Sequence, residues 1–302
     1  MPKPVPLKPG DSIGLIAPSG AFDAGDLEKA LKVLREYGYT PVYSNHIFSR
    51  YREMAGPDWI RAKNLIDFWK NENIACLWCI RGGYGSIRIL SRLPRHLVEK
   101  NDKVFVGYSD ITFLHNFFIA NGKSVVFHGP NLIDFSNAGE ARRRRLISFL
   151  EARIPFRWDI KETNVIRRGV ASGRLIGGNL TCLTHLLGTD YLPGNFWRKA
   201  ILFIEDRGEA GYRIDRMLNH FKEVGIFEHL QGLVLGSFTA CEPYDRLKER
   251  ILDIVKPYQF PVICDLPFGH SADQDILPMG LEYIIDTGSG YFAPTEKVFS
   301  TQ

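Results

Sequence analysis

The first half of the chain alternates between two hydrophobic periodicities, and this alternation limits the possible folds more than any other feature of the sequence. Short apolar runs predict strands, and the segments between them carry apolar residues at helical spacing. Strands and helices that alternate with short connections form a mostly parallel sheet, covered on both faces. The predicted strands span residues 12–17, 40–43, 74–80, 104–106 and 124–127, and the predicted helices span 26–37, 58–69, 86–93 and 111–120.

Three tight turns each follow a predicted strand of this sheet. They cover residues 18–20, 82–85 and 107–109. In open parallel sheets, ligands bind at the edge formed by the carboxyl ends of the strands. We therefore expect the three turns to lie together on that edge.

The second half of the chain is organised differently. Residues 151–170 are irregular and polar, which suits a linker. The sequence therefore predicts an N-terminal α/β domain over 1–150 and a second, smaller α/β, β-rich domain over 171–302. Its predicted strands span 200–204, 232–235, 261–264, 283–286 and 297–300, and its predicted helices span 180–187, 212–224 and 245–255.

The overall charge argues against a nucleic-acid partner. The 302 residues carry 38 Lys and Arg against 34 Asp and Glu, a net charge of +4. Proteins that follow a phosphate backbone show a larger surplus or a basic stripe. The one dense basic run, Arg142–Arg145, indicates a solvated helix face, and a nucleic-acid patch is the alternative.

The hydropathy pattern predicts no membrane contact. No apolar run approaches the 18 residues of a candidate transmembrane helix. The first residues lack the apolar core of a secretory signal. We expect a cytoplasmic protein.

The cysteines indicate neither a disulfide framework nor a metal site. Cys76 and Cys79 form a C-x-x-C pair, but they lie in the predicted strand 74–80. Side chains three apart on a strand point to opposite faces, so both are expected in the core. His-Glu-x-x-His and paired His/Cys spacings do not occur, and we expect no metal and no other cofactor.

Ser109 lies at a sharp turn between a predicted strand and a predicted helix. Such a turn exposes the hydroxyl, and the next backbone amide, that of Asp110, could stabilise an oxyanion. The alternative is that Ser109 caps the helix. Ile111 breaks the G-x-S-x-G pattern, which disfavours an α/β-hydrolase fold.

The segment Arg81–Gly85, called here the glycine-rich loop, follows another predicted strand. It matches neither the dinucleotide-binding fingerprint nor the phosphate-binding P-loop. Its backbone N–H groups could cradle an anion or serve as oxyanion donors. The sequence leaves both roles open.

Two further segments carry groups suited to proton transfer. Glu205 and Asp206 place two carboxylates at the end of an apolar strand. Glu205 could orient an imidazole, and the alternative is a surface acid pair with Arg207. His270 follows a glycine in a loop, and the ordinary pKa of histidine suits proton transfer near neutral pH. His128 and His185 are the next candidates, and each is expected to be structural. Serine, histidine and glutamate at strand ends would form a nucleophile, base and orienting group.

Ten short segments together resemble the LD-carboxypeptidase family, serine peptidases of the muramoyltetrapeptide carboxypeptidase type. They occur in the order of the family and span nearly the whole chain. Pro57 departs from the threonine that members often carry there, which affects a loop outside the proposed catalytic residues. The matching segments are Ala17–Gly20, Ala55–Gly56, Arg81–Gly85, Gly107–Asp110, His128–Pro130, Gly177–Leu180, Ile204–Asp206, Arg216–Leu218, Gly236–Phe238 and Phe268–His270.

The resemblance implies roles for particular residues. Ser109 would be the nucleophile, His270 the general base and Glu205 the group that orients the imidazole. The backbone amides of Gly83 and Asp110 would form the oxyanion hole. It also implies a flavodoxin-like or Rossmann-like N-terminal layer, a C-terminal domain that carries the glutamate and histidine, and a site between the domains.

The resemblance implies a substrate as well. Members release a terminal D-amino acid, usually D-alanine, from the L,D-bond of a murein tetrapeptide during cell-wall recycling, and a homodimer is expected. Arg81 and Arg207 are candidates for binding the substrate carboxylate. The alternatives are a microcin-immunity-type hydrolase of peptidyl or aminoacyl nucleotides, a non-catalytic α/β module that binds an anion, and a nucleotide enzyme.

Overall fold

The computed structural model describes residues 3–99, 102–122 and 124–300. The chain forms two compact units, and each is described here by itself. The first comprises Met1–Pro155, Asp275–Pro278 and Val298–Gln302, and the second comprises Phe156–Gln274 and Met279–Lys297.

The regular elements alternate through the first unit and become strand-rich in the second. The helices are α1 Ala24–Glu36, α2 Asp58–Lys70, α3 Thr112–Gly122, α4 Leu132–Asn137, α5 Glu140–Leu150, α6 Leu180–Leu186, α7 Gly211–Glu223 and α8 Tyr244–Val255. The strands are β1 Ser12–Ile16, β2 Thr40–Val42, β3 Ile74–Cys79, β4 Val104–Gly107, β5 Val126–His128, β6 Trp158–Asp159, β7 Val165–Arg167, β8 Val170–Asn179, β9 Ala200–Arg207, β10 Leu230–Thr239, β11 Val262–Ile263, β12 Leu277–Met279, β13 Glu282–Asp286 and β14 Tyr291–Pro294.

The first unit is built on a six-stranded sheet with the order β12-β5-β4-β3-β1-β2. The neighbours from β2 to β5 pair in parallel. Leu77, Trp78 and Phe105 on the central strands are fully buried, as expected where helices cover both faces of a parallel sheet. Because β1, β3 and β4 are neighbours, the turns that follow them emerge side by side on one edge.

The second unit contains an eight-stranded sheet with the order β6-β14-β13-β8-β9-β10-β11-β7. Its centre, from β8 to β11, is parallel. The strands on either side of that centre pair antiparallel. The expectation of a parallel N-terminal layer and a second, β-rich unit is therefore confirmed.

Several element predictions were wrong in detail. Residues 86–92 form a 3₁₀ helix rather than an α-helix. The last strand is Tyr291–Pro294, not residues 297–300, and it forms a hairpin with β13. Strand β8 was missed because its three glycines interrupt the apolar alternation that predicts a strand. Those glycines serve close packing, since a Cβ on Gly177 would lie 1.9 Å from the carbonyl oxygen of Phe203.

The segment expected as a linker, residues 151–170, contains regular structure. The boundary between the units falls at Pro155, and β6 and β7 pair at opposite ends of the second sheet. Both strands are two or three residues long. Strands this short leave little periodicity in a sequence, so the segment resembles an irregular one.

Two sequence predictions about charge and cysteine are resolved within the first unit. Cys76 and Cys79 are buried, free cysteines of β3, as expected. The basic run of α5 is not wholly solvated, because Arg143 donates to the Ser136 carbonyl at 3.0 Å and Arg145 pairs with Asp275 at 2.7 Å. Among the described residues, no helix is long and apolar enough to cross a membrane.

Candidate active site

Ser109 is held in an unusual backbone conformation directly after β4. Its φ is +64°, a left-handed value that non-glycine residues rarely adopt and that concentrates at functional sites. The following 3₁₀ helix spans residues 109–111. Ser109 is thus the first residue of that short helix, and Tyr108 occupies its cap position.

The glycine-rich loop packs directly against Ser109. A Cβ on Gly82 would lie 3.0 Å from Cβ and 3.3 Å from Oγ of Ser109, so a larger residue at this position would push against Ser109. The Gly82 carbonyl accepts the N–H of Gly20 at 3.0 Å. Because a trans peptide directs its C=O and N–H to opposite sides, the N–H of Gly83 points away from Gly20.

Asp110 contributes a buried side chain next to the nucleophile candidate. Its carboxylate accepts hydrogen bonds from Oγ of Ser19 at 2.6 Å and from the N–H of Ser86 at 2.8 Å. Burial raises the pKa of Asp110, and these hydrogen bonds oppose the shift. The Asp110 carboxylate thus connects the turn at residues 18–20 to Ser86, which directly follows the glycine-rich loop. Its backbone N–H lies in the first turn of a helix, where donors lack helical partners.

Glu205 and His270 meet in the second unit. Nδ1 of His270 lies 2.7 Å from Oε2 of Glu205, whose side chain is completely buried. Glu205 lies near the carboxyl end of β9, where it pairs with Asn179 of β8. His270 lies in the loop after β11. The other oxygen, Oε1, has no hydrogen-bond partner among residues 3–99, 102–122 and 124–300. His270 therefore provides the hydrogen bonds that offset the cost of burying the Glu205 carboxylate.

Gly269 makes this contact sterically possible. Its φ is +100°, and a Cβ there would lie 2.5 Å from both Cγ and Oε2 of Glu205. The hydroxyl of Thr239 donates to the carbonyl of His270 and fixes the loop from the other side. The glycine that precedes His270 in the sequence is thus part of the site geometry.

The environment of His270 tunes its basicity. Burial by itself lowers the pKa of the imidazole, but the hydrogen bond and charge of Glu205, aided by the charge of Asp206, raise the pKa overall. An ionised carboxylate only accepts hydrogen bonds, so Nδ1 donates and Nε2 is the nitrogen that can take up a proton. This is the arrangement of a general base with an orienting carboxylate.

Asp206 has a structural role, and the alternative of a surface acid pair with Arg207 is wrong. Only 3% of Asp206 is exposed. Its carboxylate accepts from Nδ2 of Asn179 and from the N–H and hydroxyl of Thr181, at 2.8 to 2.9 Å. It therefore anchors the start of α6. Successive residues of β9 point to opposite faces, so Glu205 and Asp206 serve different partners.

The two arginine candidates for a substrate carboxylate differ in their surroundings. Both side chains belong to exposed residues. Arg81 donates to the carbonyl of Ala21 at 2.8 Å. Arg207 lies close enough to His270 for its charge to lower the pKa of that histidine. Arg207 is therefore the better placed of the two beside the Glu205–His270 pair.

The two remaining histidine candidates lie on regular elements. His128 is fully buried on β5. His185 is exposed on α6, with Nδ1 2.7 Å from the carbonyl oxygen of Thr181. His115 of α3 belongs to none of the motifs above; it is also buried, and burial lowers its pKa to about 3. Among the described residues, no group of three or more potential ligands could hold a metal ion.

Sequence reasoning missed Arg61, which lies buried beside the glycine-rich loop. A signal was present in the predicted helix, where Arg61 falls on the same stripe as the apolar Ala62, Leu65 and Trp69. Asp58, one turn earlier, is at the i, i+3 spacing of an ion pair. A cation on an apolar stripe with a nearby carboxylate predicts a buried pair.

Two sequence models of one family match most of the chain. Residues 13–129 match the LD-carboxypeptidase N-terminal domain, and residues 172–285 match the LD-carboxypeptidase C-terminal domain. A Bacillus subtilis protein named a probable murein peptide carboxypeptidase is 32% identical over 296 residues, which cover 94% of this chain and 92% of that protein.

Solved structures show the same fold. The crystal structure of muramoyltetrapeptide carboxypeptidase from Oxalobacter formigenes matches with a TM-score of 0.81 and 30% identity, over 94% of this chain and 100% of that chain. The structure of MccF in complex with glutamyl sulfamoyl guanosine matches with a TM-score of 0.89 and 22% identity, over 99% of each chain. The latter shows likeness of fold alone. MccF of Escherichia coli is named a microcin C7 self-immunity protein.

Proposed function

The chain belongs to the LD-carboxypeptidase family, and from this premise we propose that it is a serine carboxypeptidase acting on murein tetrapeptides. It hydrolyses the L,D-peptide bond and releases the C-terminal D-amino acid, D-alanine, as a step of cell-wall recycling. The names of the Bacillus subtilis relative and of the Oxalobacter formigenes structure support this substrate class.

The observation that carries the proposal is the contact between His270 and Glu205. The Glu205 carboxylate is wholly buried, and its side-chain partner among the described residues is the imidazole at 2.7 Å, which supports its role as the orienting group of a catalytic base. Ser109, at φ +64° beside the glycine-rich loop, is the matching nucleophile. We propose that Ser109, His270 and Glu205 act as one catalytic set.

The first half of the reaction forms an acyl-enzyme. Oγ of Ser109 attacks the carbonyl carbon of the L,D-bond while Nε2 of His270 takes the hydroxyl proton. The carbonyl oxygen becomes an oxyanion, which the N–H groups of Gly83 and Asp110 stabilise. The C–N bond then breaks, and the imidazolium gives its proton to the amine of the departing D-alanine.

The second half restores the enzyme. Water enters the place of the amine, and His270 removes its proton as it attacks the ester carbonyl. A second oxyanion forms and is stabilised by the same backbone N–H groups. It collapses as the ester bond to Oγ of Ser109 breaks, and the imidazolium returns the proton to Oγ. Apart from the attacking water, each step uses only side chains and backbone amides of this chain.

Binding of the free carboxylate makes the enzyme a carboxypeptidase rather than an endopeptidase. The exposed guanidinium of Arg207 follows Glu205 by two residues on β9. Arginine binds carboxylates through paired, charge-assisted hydrogen bonds. We propose that Arg207 receives the C-terminal carboxylate of the substrate and that Arg81, which is engaged by Ala21, does not.

A second candidate is a hydrolase of peptidyl or aminoacyl nucleotides. It is favoured by the similarity to MccF, which is 24% identical over 98% of this chain. The catalytic set would be the same, and only the leaving group would differ. A non-catalytic anion-binding module has no use for a buried carboxylate that orients an imidazole.

The experiment that tests the proposal is a comparison of substrates by mass spectrometry. The purified protein is incubated with disaccharide tetrapeptide, free tetrapeptide and a peptidyl nucleotide. Loss of D-alanine from the tetrapeptides supports the proposal, and cleavage of the nucleotide conjugate alone supports the second candidate. No cleavage of any of the three contradicts both enzymatic readings.

The cytoplasmic location and the homodimer remain part of the proposal through the family resemblance. Cell fractionation tests the location, and light scattering of the purified protein tests the oligomeric state. A periplasmic protein would act on intact murein rather than on recycled peptides.

A further inference from the structure

Arg61 is a buried cation in the first unit, on the helix α2. Its side chain is 1% exposed, and it forms an ion pair with Asp58 at 2.5 Å. Burial lowers the pKa of the guanidinium, and the carboxylates of Asp58 and Asp110 oppose this effect. A buried charge destabilises a fold unless it is paired and hydrogen-bonded, so its partners indicate what it is for.

Those partners are backbone carbonyls from three separate loops. Nε donates to the carbonyl of Gly56 at 3.0 Å, and Nη1 donates to that of Gly85 at 2.8 Å and to that of Pro18. Only arginine carries enough donors in a fixed planar fork to hold three such acceptors together with a carboxylate. One side chain thus fixes the relative positions of three loops.

Two of these loops are connected to Asp110, the residue after Ser109, because its carboxylate accepts from Oγ of Ser19 and from the N–H of Ser86. The glycine-rich loop is held at Gly82 by the N–H of Gly20, which lies two residues after Pro18. At its other end, Asp110 accepts the N–H of Ser86. Arg61 binds the loop at Gly85, which lies in the sequence between the attachments at Gly82 and Ser86.

The glycine-rich loop is also shaped around the guanidinium. Gly85 has a φ of +131°, and a Cβ there would lie 2.9 Å from Nη1 of Arg61. Only glycine therefore lets the loop backbone come this close. The bond and the absent side chain together fix the path of the loop past Ser109.

Arg61 does not bind substrate. Nη2, the remaining nitrogen, donates to Asp58 and contacts Sδ of Met54 at 3.3 Å. Every nitrogen of the buried guanidinium thus has a partner within the chain, and a ligand would have to break one of these bonds. Its action on chemistry runs through the backbone that it holds.

We propose that Arg61 is a positioning residue that keeps the glycine-rich loop in the conformation in which its backbone stabilises the oxyanion. The inference rests on the proposed function, because the loop serves the reaction only if Ser109 is the nucleophile. The oxyanion exists only in the transition state and the intermediates. Loss of Arg61 therefore lowers kcat and leaves KM nearly unchanged.

The test compares Arg61→Lys with Arg88→Ala as a matched control. Arg88 also pairs with Asp58, at 2.9 Å, but its side chain is 36% exposed. We expect kcat for D-alanine release to fall about 10²-fold in Arg61→Lys, as when an oxyanion donor is lost. KM should change less than about threefold. The rise of kcat/KM with pH should occur at the same pH as in the wild type, because His270, the proposed base, is unaltered. Arg88→Ala should keep wild-type kcat.

The outcomes separate the two proposals. A wild-type protein that releases no D-alanine contradicts the proposed function. An active wild type with a folded Arg61→Lys variant of equal kcat, or with a raised KM at unchanged kcat, overturns the positioning role alone. If Arg61→Lys does not fold, Asp58→Asn is compared with Arg88→Ala, and a fall in kcat confined to Asp58→Asn supports the role, whereas equal kcat overturns it.

Discussion

One oxygen of Glu205 accepts two hydrogen bonds from His270. Oε2 lies 2.7 Å from Nδ1 and 3.1 Å from the backbone nitrogen of the same residue. The ring bond sets the tautomer, and the backbone bond sets the position of the loop that carries the ring. Both the chemistry and the orientation of the proposed base thus depend on a single buried carboxylate.

Replacing Glu205 with glutamine removes the charge while keeping the shape. We expect kcat/KM to fall by about 10⁴-fold, as for the loss of an orienting carboxylate. In the wild type, kcat/KM should rise with pH through the raised pKa of His270, because only the neutral imidazole accepts a proton. In Glu205→Gln that pKa falls, so the acid limb should move to lower pH. The exposed Glu223→Gln is the control, and an unmoved limb contradicts the assignment.

Gly269→Ala tests the steric basis of the same contact. The added Cβ would lie 2.5 Å from Cγ of Glu205, so the histidine loop must shift. We expect loss of most activity and a lower melting temperature. Gly188→Ala is a matched control, because Gly188 also has a positive φ, +76°, but nothing lies within 4 Å of its Cβ position. It should lose stability only from backbone strain, about 1–3 kcal/mol, with activity retained. Equal kcat for the two variants would contradict a functional role for the close packing of Gly269 against Glu205.

Gly82→Ala tests the contact between the glycine-rich loop and the nucleophile. The new methyl group would lie 3.0 Å from Cβ of Ser109, and a displacement of a few tenths of an ångström must follow. Because misplacement of reacting groups by about 1 Å can reduce rates by ~10²-fold, we expect a clear fall in kcat with little change in melting temperature. Gly194→Ala, with nothing within 4 Å of its Cβ position, should match the wild type. A fully active Gly82→Ala would show that the loop and Ser109 do not cooperate.

Arg207→Ala tests recognition of the substrate carboxylate. A hydrogen bond to a charged group contributes about 1.5–3 kcal/mol, so KM should rise at least about tenfold with kcat little changed. A tetrapeptide with an amidated C-terminus should react equally with the wild type and the variant, since it lacks the charge that Arg207 binds. Arg81→Ala should leave KM for the acid unchanged. The reverse pattern would assign the carboxylate to Arg81.

Local sequence patterns were sufficient to predict that Ser109 and the glycine-rich loop lie close together. Ser109 and the glycine-rich loop follow central strands, and the rule that parallel strands end on one edge places them together. At the carboxyl end of β9, the two adjacent carboxylates of Glu205 and Asp206 have different partners. They differ because neighbours on a strand face opposite sides, so Asp206 anchors α6 while Glu205 reaches His270.

The features that were missed depend on residues far apart in the chain. The role proposed for Arg61 depends on its hydrogen bonds to the carbonyls at positions 18, 56 and 85, and no local sequence pattern connects these positions. Strand β8 is concealed by glycines whose purpose is visible only against the backbone of β9. Tertiary packing, rather than propensity, determines both.

The most direct test of the catalytic set is the rate of D-alanine release by Ser109→Ala, measured beside the wild type on free tetrapeptide. The account predicts a fall of about 10⁶-fold in kcat, as for loss of a serine nucleophile, with an unchanged melting temperature. A folded Ser109→Ala protein that releases D-alanine at the wild-type rate would contradict it.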